Sequence, residues 1–165
     1  FVFAIGAMYS LLVILFGSFT KPILIFFMVP FSFIGVAIGN YIMGYPLSIL
    51  SLFGMVALTG IVINDGLVLL KFIENNMQKS KNVASAVSGA AVRRLFPAFL
   101  TSITTFVGLL PMILERSMQA KFLIPMAIAL GFGALGALAL TLFVLPILYT
   151  VLADIKNIFG QELLV

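Results

Sequence analysis

One carboxylate, Asp65, sits inside the apolar run from Ser48 to Ile73, SILSLFGMVALTGIVINDGLVLLKFI, which is long enough to cross a bilayer as a helix. A charge at mid-membrane costs about 2.5–3.5 kcal/mol on insertion scales, so such a residue is usually kept for handling protons, ions or substrate. Asn64 precedes it, and the next apolar run carries Thr101, Ser102, Thr104 and Thr105. Counted inward from Lys71, Asp65 lies six residues deep, and Thr101 lies the same number of residues in from Leu95. At ~1.5 Å per residue both stand roughly 9 Å inside, on sequential antiparallel helices that commonly pack together. Hydroxyls at Thr101 and, a turn deeper, Thr105 are therefore expected to donate to the carboxylate and to hold water. A carboxyl balanced between burial and such donors can load and release protons. A plainer chemistry stands beside this one. A lone intramembrane Asp can simply bond a neighbouring helix, and membrane Thr and Ser often bond their own backbone four residues back. Asn64 and Asp65 differ by ~100° around a helix, so only one of them can face a given partner.

The elements that must position these groups are helices. Hydrophobic residues make up 63% of the 165 positions and charged ones 8%, whereas a soluble domain carries about 25% charge. The fold class is all-α, a polytopic transmembrane helix bundle of about five spans; a membrane barrel predicts short alternating segments instead. The expected spans are 1–16, 23–41, 48–73, 97–114 and 122–151, with Pro125 and Pro146 at the ends of the last, and a tail over 156–165. In the loop between the third and fourth, Val83, Ala86, Val87 and Ala90 recur at helical spacing, which suggests an interfacial helix over 80–94 against a plain solvated connector. Lys21, Lys71, Lys79, Lys81, Arg93, Arg94 and Lys156 fall on one side and only Arg116 and Lys121 on the other, so the first side is expected to be cytoplasmic. Gly35 and Gly39, and the ridge Ala129, Gly133 and Ala137, allow close helix approach.

Absences narrow the chemistry. The chain has no cysteine and no histidine, hence no disulfide, no thiolate metal site and no imidazole base. No cofactor and no metal are expected, no catalytic residue is assigned, and an enzyme reading has no reaction centre behind it. The net charge of +4 is dispersed over loops, without the dense basic patch of a nucleic-acid binder. Phe1 already lies in an apolar run without an initiator Met or basic leader, so the chain reads as an excised piece.

The stretches GIVINDGLVLLKFIENN, AVRRLFPAFLTSITTFVGLLPMIL and TLFVLPILYTVL, preceded by GSFTKPILIFFMVPFSFIGVAIGNYIMG, resemble the resistance-nodulation-division transporters, above all the acriflavine-resistance-type efflux pumps. The order of spans resembles the eighth to twelfth helices, so that 1–155 corresponds to a C-terminal transmembrane half-domain. The resemblance implies proton-driven export across the bacterial inner membrane of drugs or other small amphiphilic compounds. It further implies an N-terminal half of the same transporter, a homotrimer, and in many members a periplasmic adaptor and outer-membrane channel. Its relay in drug pumps uses two aspartates on the fourth helix, a lysine on the tenth and a threonine on the eleventh. Thr101 matches that threonine and Arg94 a basic residue at the eleventh helix's cytoplasmic start. Phe96 stands where an arginine is common, and Asn64 stands where the lysine would be, with Asp65 just after it. The Asn-Asp pair instead resembles the acidic pair of the fourth helix, its counterpart in the family's internal repeat.

The relay set expected here is thus Asp65, Asn64, Thr101 and Thr105. Alternatives are a lipid- or protein-export relative of the same superfamily, or a non-transporting scaffold with Asp65 as interhelical glue. The orientation has a direct check in an otherwise cysteine-free full-length transporter. An impermeant maleimide added to intact cells is expected to label Ser117→Cys and to reach Ser80→Cys only after permeabilisation.

Overall fold

The computed structural model describes residues 2–78 and 83–158. It holds five α-helices: α1 (Val2–Phe16), α2 (Thr20–Met43), α3 (Ile49–Met77), α4 (Val83–Ile113) and α5 (Ile124–Ile158), with a short 3-10 turn at Ala120–Phe122 before the last. No strand occurs among the described residues. α2 to α5 are long and apolar enough to cross a membrane, while α1 is the shorter apolar helix. Their outward faces are greasy, as Phe27, Phe31, Ile34 and Ile38 show on α2. In water such a face would be a liability; against lipid it costs nothing.

Local signals set the helix ends. Gly17 takes a left-handed φ of 58° after α1, and Gly44 one of 70° after α2, where few other residues sit without strain. At the second turn Tyr45 N–H reaches back to the Asn40 carbonyl at 3.0 Å, closing the orphan carbonyls of α2. Ser48 then caps α3 reciprocally with Ser51.

Two boundaries differ from the sequence expectation. The interfacial helix of 80–94 and the span from 97 are one continuous helix, α4, with positions 80–82 outside the described residues. Ala86, Val87 and Ala90 are buried, and the latter two belong to the main core, so this segment packs into the bundle instead of lying flat. Asn76 Nδ2 donates to the Ala86 carbonyl at 3.1 Å and pins the α3–α4 hairpin. Pro97 withholds one backbone donor without stopping the helix, since both flanks are held by packing. Pro146, expected at an end, lies inside α5, which runs on through Ile158 into the expected tail region; 159–165 lie outside the described residues.

α5 is the central element, packed on α2, α3 and α4, while α1 rests mainly on α2. Small residues permit this. A Cβ on Gly35 would come 2.8 Å from the Phe132 carbonyl oxygen, and one on Gly136 would come 2.8 Å from the Gly35 Cα. Gly54 is closed off by Met126 and Ala129, and Gly133 by Leu58 and Val36. Backbone therefore meets backbone along the α2–α5 seam, and dispersion between close-packed surfaces replaces the hydrophobic drive that lipid cannot supply.

Gly136→Val should force α2 and α5 apart. We expect a loss of about 1–3 kcal/mol, the usual cost of overpacking, read as a lowered unfolding midpoint of the full-length membrane protein in detergent. Gly108→Ala, where a Cβ meets nothing within 4 Å, is the control that should leave the midpoint unchanged.

Candidate functional site

Asp65 is placed by the stripe of α3 that faces α5. Gly54 and Leu58 on that stripe meet Ala129 and Gly133, and seven residues past Leu58 the same face returns at Asp65. The residue is 5% exposed, among buried Val62, Leu69 and Leu70. From α4, Arg94 Nη2 donates to Asp65 Oδ1 at 3.4 Å, a long but charge-assisted contact between side chains 17% and 7% exposed.

The α4 stripe explains why an arginine can reach. Ala86, Ala90, Arg94, Ala98 and Ser102 follow at four-residue steps, and the residues flanking Arg94 on this face are small and buried. With Asn76 opposite Ala86, the antiparallel register brings Pro97 level with Asp65, about one turn deeper than Arg94. The guanidinium covers that turn along its own stem, as long basic side chains do in apolar surroundings.

The threonines go elsewhere. Thr101 Oγ1 donates to the Pro97 carbonyl at 3.0 Å and Thr105 Oγ1 to that of Thr101 at 2.9 Å; Thr104 bonds Leu100 and Thr101 carbonyls. Thr101 and Thr104 are exposed and Thr105 half-buried. Their hydroxyls serve their own backbone, and none bonds Asp65. Asn64 is exposed, and with Met8, Leu11, Leu12, Gly60, Ile63 and Leu67 it lines a cleft of about 240 Å³ between α1 and α3. Of the expected relay set, Asp65 alone lies in the buried layer. Arg94 is the partner that depth counting passed over. The signal was present, since the stripe Ala86, Ala90 continued by fours runs through Arg94 and not through Thr101.

A second ionic group joins the helix ends on the Lys21 side. Lys21 Nζ lies 2.6 Å from Glu74 Oε1 and Lys71 Nζ 3.5 Å from Glu74 Oε2, tying α2 to α3. Lys71 also stands 5.8 Å from the Phe16 ring centroid, which links α1. Among the described residues no group of three His, Cys, Asp or Glu side chains could hold a metal ion.

Chemically, the Asp65–Arg94 pair sets one group that can take up a proton against one that keeps its charge. A guanidinium stays charged throughout the physiological range. Of the two side chains only the carboxylate can change its charge by taking up a proton.

The model of the AcrB/AcrD/AcrF family matches residues 1–153. The chain is 34% identical over 146 residues to the cobalt-zinc-cadmium resistance protein CzcA of Cupriavidus metallidurans, covering 88% of this chain and 14% of that protein. It is 31% identical over 155 residues to the swarming motility protein SwrC of Bacillus subtilis, covering 93% of this chain and 15% of that one. The crystal structure of a heavy metal efflux pump superposes over 92% of this chain and 15% of its own, with a TM-score of 0.73 and 24% identity, a likeness of fold. The chain thus spans about a seventh of the length of these relatives.

Breaking the pair from one side leaves an uncompensated buried charge, which typically costs about 3–5 kcal/mol. Arg94→Met is expected to lower the thermal midpoint of the full-length transporter in detergent. Adding Asp65→Asn to it should recover most of the loss, so the double-mutant cycle departs strongly from additivity. Additive effects would mean that the two side chains do not share one interaction.

Proposed function

The chain belongs to the AcrB/AcrD/AcrF family of resistance-nodulation-division efflux transporters, and from that membership we propose that it is the C-terminal membrane half of a proton-driven exporter in which Asp65 takes up and releases the coupling proton. The observation that carries this reading is the Asp65–Arg94 pair, enclosed by apolar helices. An apolar pair of similar volume is often as stable as a buried ion pair or more so. Stability alone gives such a pair no reason to exist in a bundle this greasy, whereas proton exchange does.

In this reading protonation of Asp65 frees Arg94, and α3 and α4 shift against each other; deprotonation restores the pair. Thr101, Thr104 and Thr105 lie on the open face of α4, where the N-terminal half, with its own acidic groups, would pack. Thr101 and Thr105 then enter the relay from that side, and Asn64 contributes only through the cleft beside α1. The relay is thereby divided between two faces of α4. Arg94 serves the inner one and the threonines the outer one.

The cargo is chosen outside this chain. CzcA is named for cobalt, zinc and cadmium resistance, which sets metal cations beside the drugs and amphiphiles that the family likeness implies. The chain has neither histidine nor cysteine, and its described residues offer no cluster of ligands. A metal cargo would therefore be bound by other domains, and this half would supply only the coupling. The assembly proposed is the inner-membrane homotrimer of the family, with an adaptor and outer channel where the cell envelope has them.

Asp65→Asn in the full-length transporter, reconstituted in liposomes with an imposed pH gradient, is the test. Cargo flux and the accompanying proton flux are expected to fall to the level of empty liposomes, with the protein folded and trimeric. Wild-type flux in this variant would remove Asp65 from coupling and leave the pair as interhelical glue.

A further inference from the structure

Two polar atoms at the level of the ion pair are buried without a protein partner: Nε of Arg94 and Oγ1 of Thr141. Thr141 is 2% exposed and stands on the inward stripe of α5 with Ala134, Ala137 and Leu145. Most membrane threonines quiet their hydroxyl on the carbonyl four residues back, as Thr59, Thr101 and Thr150 do here. Thr141 does not.

Three independent contacts fix its depth. On parallel helices α3 and α5, Leu58 meets Gly133. Seven residues on from Leu58 is Asp65, on nearly the same face, and eight on from Gly133 is Thr141, turned by ~80° toward the side on which Gly131 meets α4. Gly54 against Ala129 gives the same offset. On antiparallel α4 and α5, the rings of Phe106 and Phe132 pack edge to face at 5.1 Å. Counting nine residues from each brings Pro97 level with Thr141, as the α3–α4 hairpin brought it level with Asp65. One layer thus holds a carboxylate from α3, a guanidinium from α4 and an unpaired hydroxyl from α5.

We infer that Thr141 is the third polar member of the Asp65 layer, joined to it by one buried water held between the Asp65 carboxylate, the Arg94 Nε–H and the Thr141 hydroxyl. The valences close. Nε–H only donates, the carboxylate only accepts, and a hydroxyl does either. The water accepts from Arg94, donates to Asp65 and shares its remaining bond with Thr141. Three partners is the usual number for a buried water, and an orphaned polar atom is what such a water satisfies. Thr141 is a positioning residue, acting on Asp65 through the water. The inference rests on the proton-handling reading for its purpose. There a proton arriving on the water passes to the carboxylate, leaving neutral water and a neutral acid, and Thr141 keeps the water oriented. Because α5 packs on every other long helix, its hydroxyl also couples the protonation state of Asp65 to the centre of the bundle.

Difference infrared spectra of the full-length transporter between acid and alkaline buffer, in ordinary and oxygen-18 water, test the site apart from transport. An isotope-sensitive water band is expected in the wild type, absent in Asp65→Asn and in Thr141→Val, and restored in Thr141→Ser. Proton-coupled flux should follow the same order, with Thr141→Ser closest to wild type. A band that survives Thr141→Val overturns the inference whatever the flux does. Should the valine variant not fold, a cryo-electron map of the wild-type transporter that resolves ordered waters decides. Density within hydrogen-bond reach of all three groups supports the site, and a Thr141 hydroxyl satisfied elsewhere refutes it. If Asp65→Asn keeps its flux while Thr141→Val loses the band, the water site stands and the proton-coupling reading falls.

Discussion

A charged carboxylate cannot stand alone in hydrocarbon, and much of the local architecture follows from supplying Asp65 with a partner. The partner comes from α4, so that helix must run close to α3 over its inner half. Ala90 and Ala98 on either side of Arg94 are small and buried, which brings the two backbones near enough for a single guanidinium to bridge them. Asn76 on the Ala86 carbonyl sets the register that delivers Arg94 to the right height. The continuity of α4 across Pro97 serves the same end, because a helix broken there would leave Arg94 on a separate segment with no fixed depth.

Around this pair the bundle is held by shape. Lipid offers helices no hydrophobic incentive to associate, so close approach and dispersion must suffice. The seam of Gly35 against Gly136, and the fit of Leu58 and Val36 over Gly133, provide that approach and make α5 the shared wall of every neighbour. The same seam sets the offset between α3 and α5, and this offset is what puts Thr141 on the level of Asp65. Packing far from the charge therefore decides which polar groups share its layer. A close-packed wall on one side and a hairpin on the other would suit the proton exchange proposed for Asp65, since motion could then be confined to α3 against α4.

The two faces of α4 show how one helix can serve both lipid-like surroundings and chemistry. On its outer face the threonine hydroxyls bond backbone carbonyls of their own helix, which leaves that surface adaptable to another helix. On the inner face the polar atoms are fewer, buried and incompletely satisfied. The chain spans about a seventh of its relatives, and in the reading proposed above the outer face is where the rest of the transporter would pack.

Class, the number of helices and the enclosure of Asp65 among apolar residues were legible in the sequence, because composition, run length and an isolated carboxylate are one-dimensional properties with large transfer energies behind them. The family was legible as well, through the stretches around Asp65 and Arg94. The partner of Asp65 was not found by counting depth from helix ends, since an arginine side chain spans a full turn and the end of α4 lies well before Pro97. Nor could any local pattern say that Thr101 would bond its own backbone while Thr141 would not. Those choices depend on which stripe of each helix meets a neighbour and at what offset, and the α3–α5 offset comes from glycine contacts between residues 75 positions apart, Gly54 with Ala129 and Leu58 with Gly133. The sequence by itself determined that a charge would be buried in a membrane bundle; only the packing of α3, α4 and α5 decided what that charge would meet.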